Sequence, residues 1–185
     1  MTKQSLFSDQ FCIKTSAAAI SHYLNGHKEG WLYLDAPYQR DYVWTAEDRQ
    51  LLLESIFDGF PIEGIALTYN EHGREDRYME IINGKQRITT IVMFAHDEFK
   101  YYDRHTGKSY LFSEMTKADQ SNFKKEHLPL HELQSLDKLK DVPELQKLKY
   151  FYRNNFTGVD QTEEHKLRVA QMIKDEEQRL STIKD

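Results

Sequence analysis

Two short stretches of the chain combine cationic, amide and aromatic side chains that packing alone does not require. The first covers residues 38–44 (Tyr-Gln-Arg-Asp-Tyr-Val-Trp) and the second covers residues 83–90 (Asn-Gly-Lys-Gln-Arg-Ile-Thr-Thr). In the second stretch Lys85 and Arg87 supply positive charge, and a hydrogen bond that involves a charged group contributes about 1.5–3 kcal/mol. These residue types favour the binding of an anion, in particular a phosphate.

The second stretch lies between a predicted strand and a predicted helix, and such a junction suits a phosphate. The first amides of a helix have no intrahelical partner, and its partial positive charge is worth about 0.3–1 kcal/mol to an anion. Gly84 allows the backbone to approach a ligand closely, and Thr89 and Thr90 are placed to donate hydroxyl groups. The spacing excludes a P-loop NTPase. A solvated surface turn remains the alternative interpretation, because short charged turns are common where helices begin.

Local signals predict the elements on either side of this junction. Residues 64–69 and 77–82 have the composition of strands. After Asn83-Gly84, apolar residues recur at the i, i+3, i+4 spacing of a helix. The competing prediction is a hairpin, because Asn-Gly is the preferred dipeptide of a type I′ turn. We therefore predict a strand, a tight turn and a helix, with the hairpin as the alternative.

Other cap and turn signals predict the remaining elements. Thr45 and Asp48 form a capping-box pattern for a helix that ends at Asp58-Gly59. Ser16 is predicted to cap a helix through residues 17–24, which Gly26 closes. The further predictions are a short strand at 31–34, a hairpin over 99–112 that turns at 105–107, helix caps at Thr116, Ser135 and Thr162, and Pro143 in the first turn of a helix.

These elements predict one α+β domain over residues 1–185, a length that fits a single domain. In this prediction residues 1–113 form an α/β core with a small mixed sheet, and residues 114–185 form a helical subregion. Leu, Ile, Val and Phe recur along the whole chain, which argues against disorder even though charged residues make up 30%.

Composition excludes several classes of protein. No apolar run approaches the about 20 residues that span a bilayer, so no membrane partner is expected. Cys12 is the only cysteine, which excludes an internal disulfide and a cysteine-based zinc site and predicts a cytoplasmic location. The histidines show no metal-ligand spacing, so no metal site is predicted. A net charge of −5 disfavours indiscriminate coating of DNA.

Four ordered segments resemble a known family. Residues 38–44, 51–67 and 80–94 are similar to its pattern of QR-x-Y-x-W, a helix that ends near Pro-Ile, and the signature DG[QK]QR followed by Leu/Ile-Thr-Thr. Residues 151–159 are similar to its second motif, an aromatic residue and an Asn shortly before a Gly. The family is the ParB-like domain at the N-terminus of GmrSD-type modification-dependent restriction systems. The resemblance covers about residues 36–169.

The resemblance implies a ParB/sulfiredoxin-like fold whose signature turn binds a nucleoside triphosphate, with or without Mg²⁺, and supports its hydrolysis together with an action on DNA. Carried over by residue, it implies catalytic roles for Asn83, Gln86 and Arg87. Together with Thr89 and Thr90, the nucleotide-binding set is then Gln39, Arg40, Gly84, Lys85 and Asn155. The partners it implies are the nucleotide, DNA, and a separate nuclease subunit or a second copy of the chain in a homodimer.

The sequence departs from the family pattern at three points. Asn83 stands where the signature has Asp, and a neutral amide neither binds Mg²⁺ nor polarises water as a carboxylate does. We therefore expect binding to survive while hydrolysis weakens. The acidic residue expected after the second motif falls at or beside His165, next to Glu163 and Glu164. The His-Asn-His nuclease domain that usually follows is not present before Asp185, so we expect no cutting activity in this chain.

Two alternative functions follow. Asn83 favours a catalytically silent binding or regulatory protein that acts on a nuclease or on DNA in trans. The other is a Mg²⁺-dependent DNA nuclease, because Glu98 and Lys100 form the E-x-K spacing found in such enzymes. Short E-x-K matches are frequent by chance, and these residues begin a predicted hairpin.

Overall fold

In the computed structural model, which describes residues 10–71, 78–156 and 162–183, a mixed sheet is central to the fold. Its five strands lie in the order β1-β7-β3-β4-β2. β7 is antiparallel to β1 and parallel to β3, and β4 is antiparallel to β3 and parallel to β2. The strands are β1 (Phe11–Ala19), β2 (Leu32–Tyr33), β3 (Ile65–Tyr69), β4 (Met79–Asn83) and β7 (His127–Ser135), and a separate hairpin is formed by β5 (Tyr101–Asp103) and β6 (Lys108–Tyr110).

Helices cover both faces of the sheet. They are α1 (Ile20–Lys28), α2 (Ala46–Asp58), α3 (Lys85–Ala95), α4 (Lys117–Lys125), α5 (Glu144–Phe156) and α6 (Glu163–Thr182). On one face, Leu67 and Ile81 of the sheet pack in a buried cluster with residues of α1 to α4. On the other face, Ala66 and Ile82 pack with residues of α5 and α6. Because successive strand residues point to opposite faces, neighbouring positions serve two separate cores.

The structure confirms the predicted fold class, a mixed sheet with a mainly helical C-terminal half. It also confirms the strand–turn–helix prediction at Asn83-Gly84, since α3 and not a second hairpin strand follows β4. The predicted capping box is present, because the Thr45 hydroxyl accepts from the Asp48 amide at 3.2 Å and the Asp48 carboxylate accepts from the Thr45 amide at 2.8 Å. The predicted hairpin over 99–112 and the caps at Thr116 and Thr162 are also confirmed.

Two predicted helix starts are wrong. Ser16 lies in β1 and Ser135 ends β7, and these two strands pair along their whole length, from Phe11 opposite Ser135 to Ala19 opposite His127. Nine cross-strand pairs outweigh the helical preference of the alanines in β1, because β propensity depends mainly on the neighbours a strand finds. Gly26 lies inside α1, where an added Cβ would come 2.8 Å from the Trp31 ring. Pro143 lies one residue before α5.

None of the helices among the described residues is both long enough and apolar enough to cross a bilayer.

Candidate functional site

A cavity of about 180 Å³, called here the central cavity, lies where β4, the start of α3, the 35–44 loop and the helices α5 and α6 meet. It contains every predicted site residue except Thr89 and Thr90. Its lining residues are Gln39, Arg40, Trp44, Glu63, Asn83, Gly84, Lys85, Gln86, Arg87, Phe151, Asn154, Asn155 and His165. The two polar stretches of the sequence, which begin 45 positions apart, therefore face each other across one space.

Gly84 makes the sharp turn from β4 into α3. Its φ of 102° lies in the left-handed region, and a Cβ atom here would come 2.5 Å from Cδ1 of Ile65. The Ile88 amide makes the first helical bond, to the Gly84 carbonyl at 3.0 Å. The amides before it have no intrahelical partner, and no side chain caps them. The start of α3 thus presents uncapped amides and the positive end of a helix to the cavity, an arrangement that suits an anion.

Arg87 is buried and ion-paired at the edge of the cavity. Its guanidinium donates to the Glu63 carboxylate at 2.6 Å, while the Glu63 side chain itself is 71% exposed. Burial lowers the pKa of Arg87 and the Glu63 carboxylate opposes this effect, so the guanidinium remains charged. Glu63 therefore occupies a position at Arg87 that an anionic ligand oxygen could take, and its exposure leaves it free to move aside.

Arg40 and Lys85 add two more cations to the cavity. Within residues 10–71, 78–156 and 162–183, the Arg40 guanidinium makes no hydrogen bond and no ion pair. Lys85 donates to Asp35 at 2.8 Å, and its own side chain is only 11% exposed, but the Asp35 side chain is 81% exposed. Solvent therefore screens the pair toward the about 0–1 kcal/mol of a surface ion pair. The cavity therefore holds an unsatisfied cation opposite the uncapped amides of α3.

Gln39 and Gln86 use their side-chain amides to fix the 35–44 loop. Gln39 donates to the carbonyls of Ile81 and Ile82 at 3.0 and 2.9 Å. Gln86 accepts from the Val43 amide at 2.9 Å and donates to the Asp41 carbonyl at 3.0 Å. These contacts attach the loop to β4 and α3, which places Arg40 beside the start of the helix.

A buried polar network lies next to this loop. The hydroxyl of Tyr38 donates to Glu80 at 2.6 Å, and Lys147 of α5 and Asn70 donate to the other Glu80 oxygen at 2.8 and 3.0 Å. Burial raises the pKa of Glu80, but the Lys147 charge and the hydrogen bonds from Lys147, Tyr38 and Asn70 bring it below its ordinary value. The network therefore joins the loop that carries Arg40 to α5, the helix that carries Asn155.

α5 and α6 close the far side of the cavity. Burial lowers the pKa of His165, which favours its neutral ring, and its Nε2–H donates to the Tyr38 carbonyl at 3.0 Å. Asn155 lines the cavity, and its amide donates to the Phe151 carbonyl at 2.9 Å. Glu163 and Glu164 are exposed and do not line the cavity. The end of the second motif, residues 157–159, lies outside the described residues.

Thr89 and Thr90 are the predicted site residues that do not reach the cavity. The Thr90 hydroxyl is fully buried, with Tyr42 at 2.8 Å and the Gln86 carbonyl at 2.9 Å as partners. Its role is to hold Tyr42 against α3, so it is not available to a ligand.

The E-x-K residues also lie outside the cavity. Lys100 pairs with Glu114 at 3.3 Å, and Glu98 is exposed. In the described part of the chain, no group of three or more His, Cys, Asp or Glu residues is placed to hold a metal ion.

Sequence reasoning missed Glu63 altogether. Glu63 follows Pro61 in a loop before β3, and no motif or spacing distinguishes it from any other surface acid. The contact between Glu63 and Arg87 depends on how β3 and β4 pair, which brings Ala66 opposite Asn83. No local sequence pattern could have predicted it. The first turn of α6, by contrast, carried a signal: His165 stands where the resemblance led us to expect an acid.

One protein family matches most of the chain. The model of the family described as GmrSD restriction endonuclease, N-terminal domain, matches residues 20–184. Comparison with curated proteins and with solved structures gives no match.

Proposed function

The chain belongs to the family of GmrSD restriction endonuclease N-terminal domains, which implies a role in restriction and phage defence, and we propose that it binds a nucleoside triphosphate whose phosphates lie in the central cavity. In this proposal Arg40, Arg87 and the first amides of α3 hold the phosphate oxygens, and Lys85 adds charge at the rim. In this proposal the binding of the nucleotide controls how the chain interacts with DNA, with a separate nuclease subunit or with a second copy of the chain.

The observation that carries the proposal is the Arg40 guanidinium, which has no hydrogen-bond or ion-pair partner within the described residues and lines the same cavity as the uncapped amides of α3. A half-buried cation without a counter-ion in direct contact, in the same cavity as the positive end of a helix, favours the binding of an anion. Triphosphate oxygens satisfy both groups at once, and Arg binds phosphate in a bidentate manner. The contacts of Gln39 and Gln86 give these two residues a positioning role.

A titration of the protein with ATP, GTP, CTP and UTP, each with and without Mg²⁺, tests the proposal. We expect at least one nucleotide to bind, and Arg40→Ala to weaken its affinity about tenfold or more, because a hydrogen bond to a charged group contributes about 1.5–3 kcal/mol. Arg104→Ala is the matched control, since Arg104 pairs with Glu54 and does not line the cavity. The proposal is wrong if no nucleotide binds, or if both variants reduce the affinity equally.

A silent regulatory module is the second candidate function, and Asn83 favours it. Asn83 lines the cavity, but an amide does not replace a carboxylate in holding Mg²⁺ or activating water. Phosphate release distinguishes the candidates. Turnover in the wild type that Arg87→Ala abolishes would support a hydrolase with Asn83 and Arg87 at its centre and Gln86 as the residue that positions the facing loop. Binding without turnover, with turnover gained in Asn83→Asp, would support the silent module.

Glu63→Gln is expected to tighten nucleotide binding about fivefold when Mg²⁺ is absent. The substitution removes the negative charge that faces Arg87 at 2.6 Å. Because the Glu63 carboxylate is mostly exposed, solvent screens the pair, and we take its worth as up to about 1 kcal/mol, or about fivefold in affinity. Isothermal titration calorimetry in EDTA measures the change. Glu98→Gln, which alters the net charge equally at an exposed position outside the cavity, should leave the affinity unchanged. A weaker affinity in Glu63→Gln would show that the carboxylate supports the ligand and does not compete with it.

A further inference from the structure

The central cavity is too small for a whole nucleotide. Its volume of about 180 Å³ lies below the ~300–1,000 Å³ of typical small-molecule sites. If phosphates occupy it, the ribose and the base must lie elsewhere. The central cavity continues into a second, larger cavity of about 660 Å³, because Glu63, Asn83 and Asn154 line both.

This second cavity, called here the α5 groove, runs between the sheet and α5. Phe11 and Ile13 of β1 and His131 of β7 form its floor, and Lys149, Tyr150 and Arg153 of α5 form its wall. Ile13 pairs with Leu133, and Thr15 pairs with His131, so these β1 and β7 side chains share one face of the sheet. The groove therefore combines aromatic and aliphatic side chains with cationic and hydrogen-bonding groups.

We propose that the α5 groove binds the base and ribose of the nucleotide whose phosphates lie in the central cavity. This inference rests on the proposed function, and it assigns the ligand as a nucleotide in preference to a free polyphosphate. The two cavities meet at Glu63, Asn83 and Asn154, so one extended molecule can occupy both. A nucleoside is bound by an aromatic side chain that stacks on the base and by polar groups that form hydrogen bonds with the edges of the base and with the ribose. The groove supplies both kinds of group.

Tyr150 is the stacking surface in this arrangement. Its ring is half-buried and packs against the core formed by the sheet, α5 and α6. It lies near Glu63: burial raises the pKa of the Tyr150 hydroxyl, and the Glu63 charge raises it further. Tyr150 thus lines the α5 groove close to Glu63, one of the residues at the junction of the two cavities. Stacking of a base on an aromatic side chain is worth about 1–3 kcal/mol.

His131 provides a polar group on the floor of the groove. It approaches the backbone closely at Gly64, where an added Cβ would come 2.8 Å from its ring and 3.3 Å from the Pro129 carbonyl. Within the described residues the ring makes no hydrogen bond or ion pair. Its ring nitrogens are therefore available to a ligand, and a side chain on residue 64 would displace them.

The test compares each nucleoside triphosphate with inorganic tripolyphosphate, which carries the phosphates without the nucleoside. Calorimetry is performed on the wild type, Tyr150→Ala, Tyr150→Phe and Ile13→Trp. We expect the best nucleotide to bind at least tenfold more tightly than tripolyphosphate, which matches the ~1–3 kcal/mol of one stacked base. Tyr150→Ala should abolish this difference without altering tripolyphosphate binding, and Tyr150→Phe should preserve it.

Ile13→Trp provides a second variant that does not disturb the core. Ile13 is 46% exposed, so a larger side chain fits at the surface while it fills the groove, and it should also abolish the difference. Equal affinities for nucleotide and tripolyphosphate in the wild type would overturn the inference and leave phosphate binding intact. A difference that persists in both Tyr150→Ala and Ile13→Trp would also overturn it. If neither compound binds, the proposed function itself fails.

Discussion

Lys147→Met is expected to lower the free energy of unfolding by about 3–5 kcal/mol, because it leaves the Glu80 carboxylate buried without its cation. Lys147 and Glu80 are 6% and 5% exposed, and their charged groups lie 2.8 Å apart. The pair links α5 to β4, and through Tyr38 it links both to the 35–44 loop. Nucleotide affinity should fall together with stability, since the network joins the loop that carries Arg40 to the helix that carries Asn155.

Urea unfolding at pH 7 measures the effect, and two matched variants test its cause. Lys166→Met removes a lysine whose ion pair with Glu163 is exposed and 3.7 Å long, so it should cost about 0–1 kcal/mol. Glu80→Gln combined with Lys147→Met removes both charges and keeps an amide for Tyr38 and Asn70 to contact. This double variant should be more stable than Lys147→Met alone. If it is less stable, the buried charge is not the cause of the loss.

The pH dependence gives an independent check on the same pair. The network holds the pKa of Glu80 below its ordinary value of 4.5, so its contribution to stability is present above pH 4.5 and is lost as the pH falls through the lower folded value. In Lys147→Met, Glu80 is buried without a counter-ion, which would raise its pKa in the folded protein above the ordinary value. The Glu80 carboxyl would then take up a proton on folding, so the stability of the variant would fall as the pH rises. The difference between wild type and variant should therefore shrink from pH 7 to pH 4.

The parts of the site that could be predicted from the sequence are those that local chemistry determines. Asn83-Gly84 followed by apolar residues at helical spacing specified the turn and α3, because a helix start depends on a few adjacent residues. Thr45 and Asp48 specified the start of α2 for the same reason. The resemblance to the family then brought the 38–44 and 83–90 stretches together, which no local pattern could do.

The remainder depends on contacts between distant residues, which leave no local signal. β1 is rich in alanine and has the local pattern of a helix, and only its pairing with β7 makes it a strand. The Glu80–Lys147 pair joins residues 67 positions apart, and nothing in the sequence around either one distinguishes it from a surface residue. Glu63 reaches Arg87 only because β3 and β4 bring their ends together.

Gly84→Ala is expected to lower the free energy of unfolding by about 2–6 kcal/mol, the sum of two costs. A residue with a side chain at a φ of 102° stores about 1–3 kcal/mol of backbone strain. Overpacking against Cδ1 of Ile65, at 2.5 Å from the new Cβ, adds about 1–3 kcal/mol. Relief of that contact would shift the first turn of α3, so phosphate affinity should also fall. Chemical denaturation and tripolyphosphate titration measure the two effects.

Gly59 and Ile65 allow the two costs to be separated. Gly59 also has a left-handed φ, 72°, but nothing lies within 4 Å of an added Cβ, so Gly59→Ala should show backbone strain alone, about 1–2 kcal/mol. Ile65→Val removes the Cδ1 atom that the new methyl group at position 84 would meet, and the double variant should cost less than the sum of the two single ones. If the free-energy changes of the two single variants add up in the double variant, Ile65 moves aside without cost when a methyl group is placed at position 84. In that case the need for glycine at this turn would come from the backbone alone, and Gly84→Ala would cost no more than Gly59→Ala.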